Sequence, residues 1–478
     1  MELTVNHAPP FTEEEWNACI RVLKVLARDP FCGPDTQTLK TLVAKIYKVA
    51  KKEIRAQNQQ QIRAHDQALQ QKTVVFQVND ATLPLGQHAL PMMATEVPGT
   101  AASGAPSDTV GVRIQPERCY ICKSFYHEVH FFYHLLCPEC ARLNHQKRQQ
   151  RADLTGRIAL VTGGRIKIGY QMCLRLLRDG ARVIVTTRFP KDAVKRFAEE
   201  EDFSLWSERL EVHGLDFRNL VQLEGFIQDL KARLPHLDIL INNAAQTVRR
   251  PAEFYQHLLP LETLPLASLP QSWQQVLRGP DQRVALELLA PQLPGSNLAP
   301  FFPAGQLDQD GQQLDFRPQN SWTATADQVS PLEMLEVQLV SNVAPFMLVS
   351  QLRSLLRQSP FERKFIVNVS AMEGQFARES KTEFHPHTNM AKAALNMLTR
   401  TSGQDYARDG IFMTSVDTGW ITEENPHPKK SRLREGGFVT PLDVIDGMAR
   451  IYDPIVQGLQ TDPPLSGCFL KDYRPYPW

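Results

Sequence analysis

This sequence contains no run of 18 uninterrupted apolar residues, and Met1–Pro10 holds no basic stretch followed by an apolar one. Neither a membrane span nor a secretion signal is expected, and the chain reads as cytoplasmic. An excess of one charge is also lacking. Fifty-three Lys and Arg stand against 52 Asp and Glu, a formal net charge of +1, so nothing marks a polyanion-binding protein and nucleic acid is not expected as a partner. Cysteine is scarce at eight residues, and Cys19, Cys32, Cys173 and Cys468 are scattered, which excludes a disulfide framework. What is present is the 42% apolar and 22% charged balance of a globular protein with a real core, in a chain of 478 residues that calls for two or three folded units.

Those units separate by pattern. Residues 1–72 read as a helical region. Thr12 with Glu15 makes an N-cap signature ahead of Trp16, Ile20, Leu23 and Leu26, and a second helix from about Thr38 repeats Leu39, Leu42, Val43, Ile46 and Val49. The Gln-rich tail of that helix is either solvated or a docking surface. Residues 73–112 read as a flexible linker and 113–150 as a small Cys/His module. From 151 to 478 short apolar runs alternate with amphipathic stretches: Ile158–Thr162, Val183–Thr187, Leu210–Leu215, Ile239–Ile241 and Phe365–Val369. That rhythm predicts an α/β fold, a doubly wound parallel sheet with helices on both faces. A Pro-, Leu- and Gln-rich block at about 246–330 interrupts it as an insertion near the carboxyl ends of the strands, ordered in part by Phe301, Phe302 and Trp322.

Four cysteines do form a pattern. Cys119-x-x-Cys122 and Cys137-x-x-Cys140 are separated by 14 residues, the spacing of two knuckles that close four thiolates around one zinc ion. Four protein ligands leave no open coordination position, so the zinc is expected to be structural. His127, His130, His134 and His145 lie in or beside the module, where packing among its aromatic residues and metal ligation both stay open. Lys147, Arg148 and Arg151 are either an acidic partner's docking site or a solvated helix face.

After Leu154 comes the strand Ile158–Thr162, then Gly163-Gly164-Arg165-Ile166-Lys167-Ile168-Gly169 and a helix, an order that presents backbone N–H groups to a pyrophosphate. Further landmarks follow in order: Gly180-Ala181-Arg182-Val183, Asp216-Phe217, Asn242-Asn243-Ala244-Ala245, Thr440-Pro441-Leu442-Asp443 and Ser466-Gly467. Together they resemble the short-chain dehydrogenase/reductase family from about Leu154 to Tyr473. The resemblance implies a nicotinamide dinucleotide held by Thr162, Gly163, Gly169, Asp216 and Asn243, with Lys167 in place of the turn's middle glycine. Thr187 stands where NAD-preferring members carry an acid, and Arg188 follows it, so NADP is implied over NAD.

The family's catalytic tetrad of Asn, Ser, Tyr and Lys is matched by Asn342 and Lys392. Thr388 occupies the tyrosine's place, four residues before the lysine. The serine position falls on Ala371 with Ser370 one place early, and Thr418 replaces a proline before Gly419. A threonine hydroxyl is not a phenol of pKa near 10 and cannot replace it as proton donor, whereas an imidazole from His385 or His387 could. Two functions therefore stay open. One is an atypical oxidoreductase that moves hydride between NADP(H) and a carbonyl or alcohol. The other is a catalytically inactive scaffold or dinucleotide sensor acting through protein partners of residues 1–150. Oligomer formation is also open.

Overall fold

The computed structural model describes residues 10–79, 108–279, 298–378 and 380–478. These fall into two compact units, residues up to 67 and residues 68–478. The first carries α1 (Glu13–Leu26) and most of α2 (Thr36–Gln71). Thr12 caps α1: its Oγ1 accepts the N–H of Glu15 at 3.2 Å, and the Glu15 carboxylate accepts the N–H of Thr12 at 2.7 Å. No residue of α1 is buried, and the apolar Trp16, Val22, Leu42, Ile46 and Tyr47 are exposed on the two helices.

The second unit begins at Ala68 and takes in part of the stretch expected to be a linker. Val74–Asn79 is helix α3, which buries Val75 and Phe76, and Thr109 opens strand β1 (Thr109–Arg118). Both are ordered because they close on the Cys/His module: the Val74 and Val75 N–H groups donate to Phe131 and Phe132 carbonyls, and β1 pairs antiparallel with β2 (Phe125–His130). The rest of the expected linker, residues 80–107, lies outside the described residues. Helix α4 (Pro138–Arg148) completes the module, with Pro138 at its first turn, where a missing N–H is harmless.

The remainder is a nine-stranded sheet in the order β11-β10-β9-β8-β6-β3-β4-β5-β7. Its strands are β3 (Ile158–Thr162), β4 (Arg182–Thr187), β5 (Leu210–Gly214), β6 (Ile239–Asn242), β7 (Leu277–Arg278), β8 (Lys364–Ser370), β9 (Ile411–Asp417), β10 (Cys468–Lys471) and β11 (Arg474–Tyr476). All pair in parallel except β10 with β11. β3 and β8 are buried at every residue because helices cover both faces, which is why these strands read as continuous apolar runs rather than alternating ones. On one face α5 (Lys167–Arg178) packs Met172, Cys173, Leu176 and Leu177 against β3 and β4, beside the helix Val444–Gln460. On the other, Pro331–Gln351 is long and apolar enough by composition to cross a membrane, yet Ala344, Leu348 and Val349 from it are buried against the sheet.

The block 246–330 departs from β6 and contributes edge strand β7 beside β5. Its own small core joins Phe254, Tyr255, Leu258 and Phe302 to Phe189 at the end of β4, so it folds back over the carboxyl ends of the strands.

Candidate active site

The turn after β3 is built by mutual satisfaction of polar groups. Thr162 Oγ1 accepts the N–H groups of Asn243 (2.9 Å) and Ala244 (3.0 Å), and Asn243 Nδ2 donates to the carbonyls of Thr162 (2.9 Å) and Gly163 (3.1 Å). Thr162, Gly163 and Asn243 thus lock the ends of β3 and β6 together. Gly163 sits at φ +71°, and a methyl group at Gly169 would lie 2.2 Å from the Gly163 carbonyl oxygen, so only glycine lets α5 start this close to the strand. Lys167, at the position of the missing glycine, takes the left-handed conformation itself (φ 55°). Its ammonium lies 3.6 Å from Glu424; burial opposes its charge, but Glu424 and Asp310 outweigh that and hold its pKa above the usual lysine value.

This turn opens on a cavity of about 1720 Å³, larger than the roughly 300–1,000 Å³ of ordinary small-molecule pockets. It runs along the carboxyl ends of the strands, where open α/β sheets hold their ligands. At one end Arg188 follows β4, half-buried, and donates to the Tyr255 hydroxyl at 2.7 Å. Asp216 lines the same end but is engaged by the Arg218 guanidinium at 2.6 Å; burial raises its pKa and Arg218 more than reverses that, leaving it a carboxylate. Insertion residues form the outer wall there. Buried Arg165 spans to Asp192 (2.8 Å) and to Gln312 of the insertion (2.7 Å).

At the other end Lys392 projects from the helix Pro386–Ala407 and donates to the Val369 carbonyl at 2.7 Å. Burial pushes its pKa down to about 8, against the opposing charge of Glu373. Ser370 lines the cavity, but its hydroxyl donates to Asn396 at 2.6 Å, and Ala371 beside it offers no hydroxyl. Thr388 is buried on the lining with no hydrogen-bond partner for its Oγ1. Asn342 lies in the π-helical turn Leu339–Val343 and is not among the lining residues. Of the two histidines suggested as proton donors, His387 is turned to Glu333 (3.5 Å) and does not line the cavity. His385 does line it, but stacks on Trp322 at 3.9 Å between ring centres, and burial holds its pKa down to about 4. Neither imidazole is placed as an acid.

The Cys module closes this end. The sulfurs of Cys119, Cys122, Cys137 and Cys140 all lie within 4.8 Å of one another. The four histidines have other partners: His127 contacts the Arg113 carbonyl, His130 accepts the Phe132 N–H, His134 faces the Val439 carbonyl, and His145 packs edge-on to Phe131 and Phe132. The basic stretch is engaged within the chain, with Lys147 and Arg148 largely covered and Arg151 still exposed. Arg148 pairs with Asp443 (2.6 Å) and Asp446 (3.0 Å), Lys147 with Asp453 (2.5 Å) and Arg151 with Asp179. Burying these acids in the sheet's helices requires cations close by, and the module supplies them. Between the cysteines, Tyr120 reaches the cavity, its hydroxyl accepting the Trp420 N–H at 2.9 Å.

Comparison with known proteins finds one family match and several relatives. Residues 157–258 match the model of the short chain dehydrogenase family. An uncharacterized protein of Acanthamoeba polyphaga mimivirus is 32% identical over 353 residues, 70% of this chain and 71% of the viral protein. Residues 157–258 thus carry the short-chain dehydrogenase pattern, within a chain related along most of its length to the viral protein. A (+)-neomenthol dehydrogenase of Capsicum annuum is 37% identical over 91 residues, 18% of this chain and 28% of that enzyme. Among solved structures, the NADPH-bound carbonyl reductase from chicken fatty liver is aligned over 68% of this chain and all of its own, with 18% identity and a TM-score of 0.43. A dehydrogenase of Burkholderia cenocepacia in complex with NADP covers 67% of this chain and 97% of its own, at 17% identity and a TM-score of 0.42.

Within this cleft the sequence pattern concealed several groups. Asp417, Glu373, Tyr120, Tyr255, Trp322 and Glu424 all line it. Only Asp417 carried a legible cue, as a charged residue closing an apolar strand; the others come from loops or from the Cys module, which fold back over long sequence distances.

Proposed function

We propose that this protein is an oxidoreductase that binds NADP(H) and transfers hydride to or from a carbonyl or alcohol substrate. The observation that carries the reading is that the Gly163–Gly169 turn, Arg188 and the buried Lys392 open on one cavity. Its described lining holds twelve Lys and Arg against eight Asp and Glu, an excess suited to a cofactor with several phosphate charges. In this reading the backbone at Gly163 and the start of α5 hold the pyrophosphate, and Lys167 exchanges Glu424 for a phosphate oxygen. Arg188 takes the 2′-phosphate, Asp216 and Asn243 flank the nucleoside, and two of the three Lys392 N–H donors remain for the ribose beyond the bond to Val369. The bound dinucleotide would supply or accept the hydride. Thr388 and Ser370 give the lining its shape but neither moves a proton, and Asn342 supports the helix behind them.

Cys119, Cys122, Cys137 and Cys140 suit a structural zinc ion. Four sulfurs already gathered within 4.8 Å match the soft, closed, four-coordinate set that zinc takes.

Calorimetric titration of the zinc-loaded protein with NADPH and NADH tests the cofactor reading. NADPH is expected to bind, and Arg188→Glu to weaken it by about 10- to 100-fold, the worth of a charge-assisted hydrogen bond of about 1.5–3 kcal/mol, with NADH little changed. Binding of neither cofactor would leave a scaffold whose work is done through partners of residues 1–150.

A further inference from the structure

In a cleft of this kind the reaction needs a group that gives a proton to a carbonyl oxygen and takes it back from an alcohol. We propose that Asp417 is that proton donor and acceptor. The inference rests on the oxidoreductase reading and adds to it the group that Thr388 cannot replace.

Asp417 ends β9 and lies in register with Ser370 at the end of β8, next to Ala371 just beyond that strand, at the ligand-binding edge of the sheet. It is buried yet lines the cavity together with Lys392. Its Oδ1 accepts the Met372 N–H at 3.1 Å, and among the described residues no hydrogen bond reaches Oδ2, which is left to carry a proton. The other titratable groups at this end are committed elsewhere. Glu373 is held by Arg378 at 2.6 Å, His385 is stacked on Trp322, and the Tyr120 hydroxyl is engaged by the Trp420 N–H at 2.9 Å.

The charges facing Asp417 come from four elements: Glu373 after β8, Lys471 and Asp472 at the turn after β10, Arg450 on the helix Val444–Gln460, and Tyr120 of the Cys module. Burial first, then Asp472 and Glu373, raise its pKa, and Lys471 and Arg450 oppose them, leaving it at about 6. A carboxyl group that gains and loses its proton close to neutrality suits general acid–base work. In reduction the carbonyl carbon gains the hydride lost by the reduced nicotinamide. The carbonyl oxygen then takes the Asp417 proton, so an alcohol, an oxidised nicotinamide and a carboxylate result, and the carboxylate regains its proton from water.

The positive ring of NADP⁺ beside Asp417 should expel this proton, whereas the neutral ring of NADPH should not. Calorimetry in buffers of different ionisation enthalpy counts protons released on binding to the zinc-loaded full chain between pH 5 and 8. The 2′-phosphate of either cofactor titrates near pH 6, so the informative quantities are differences. Wild type is expected to release up to about one proton more with NADP⁺ than with NADPH, centred near pH 6, and Asp417→Asn to abolish that excess. An equal release with both cofactors in wild type, which needs no variant to fold, would overturn the proposal, as would an undiminished excess in Asp417→Asn. Failure of both cofactors to bind would instead bring down the oxidoreductase reading, and this inference with it.

Discussion

The two ends of the cleft treat their polar groups differently. Around β3 and β6, Thr162, Asn243 and the Gly163 carbonyl are paired among themselves. Around β8 and the helix Pro386–Ala407, Thr388 Oγ1 and Asn389 Oδ1 are buried on the cavity lining with no hydrogen-bond partner. Buried polar groups are normally satisfied, because leaving one unpaired costs about 1–3 kcal/mol. One end therefore meets most of its own polar groups before any ligand binds. The other carries the unspent polarity expected where substrate, water or a reacting group completes the structure.

The sharpest way to break this comparison is to remove the metal. If a zinc ion ties the Cys module to the open end, its removal should lower the melting temperature of the 68–478 unit by about 10 °C or more, since the ion pairs of Arg148, Lys147 and Arg151 depend on that module. Thermal melts with and without a strong zinc chelator measure this; an unchanged melt would show that these contacts hold without metal. At the β3 and β6 end, Gly169→Ala places a methyl group 2.2 Å from the Gly163 carbonyl oxygen and 2.5 Å from Asn243 Nδ2. It is expected to cost about 1–3 kcal/mol of stability by denaturant titration and to abolish NADPH binding, as the turn must open. His387→Gln should do least. Because His387 faces Glu333 away from the cavity, NADPH affinity should change by less than about twofold, and a larger loss would place this residue inside the site after all.

The strand runs were legible because a sheet covered on both faces forces apolar residues at successive positions: Ile158–Thr162 reads in the sequence with the bounds it has in the fold. The glycine turn was legible for a similar reason, since Gly169 answers a steric demand from one nearby atom. Loops gave less away. Residues 74–79 carry no linker composition of their own, and their apolar Val75 and Phe76 pack against the Cys module. Arg148 looked like a solvated or docking cation because its partners, Asp443 and Asp446, lie nearly 300 residues away.

The sequence by itself determined the doubly wound sheet, the turn after β3 and the grouping of four cysteines, because each depends on residues close together along the chain. Only the tertiary structure decided which polar groups meet across the cleft: that His387 turns away, that Ser370 is spent on Asn396, and that Asp417 stands beside Ala371. Those outcomes depend on how separate strands register and where the Cys module and the insertion fold back, which long-range packing sets and local spacing does not encode.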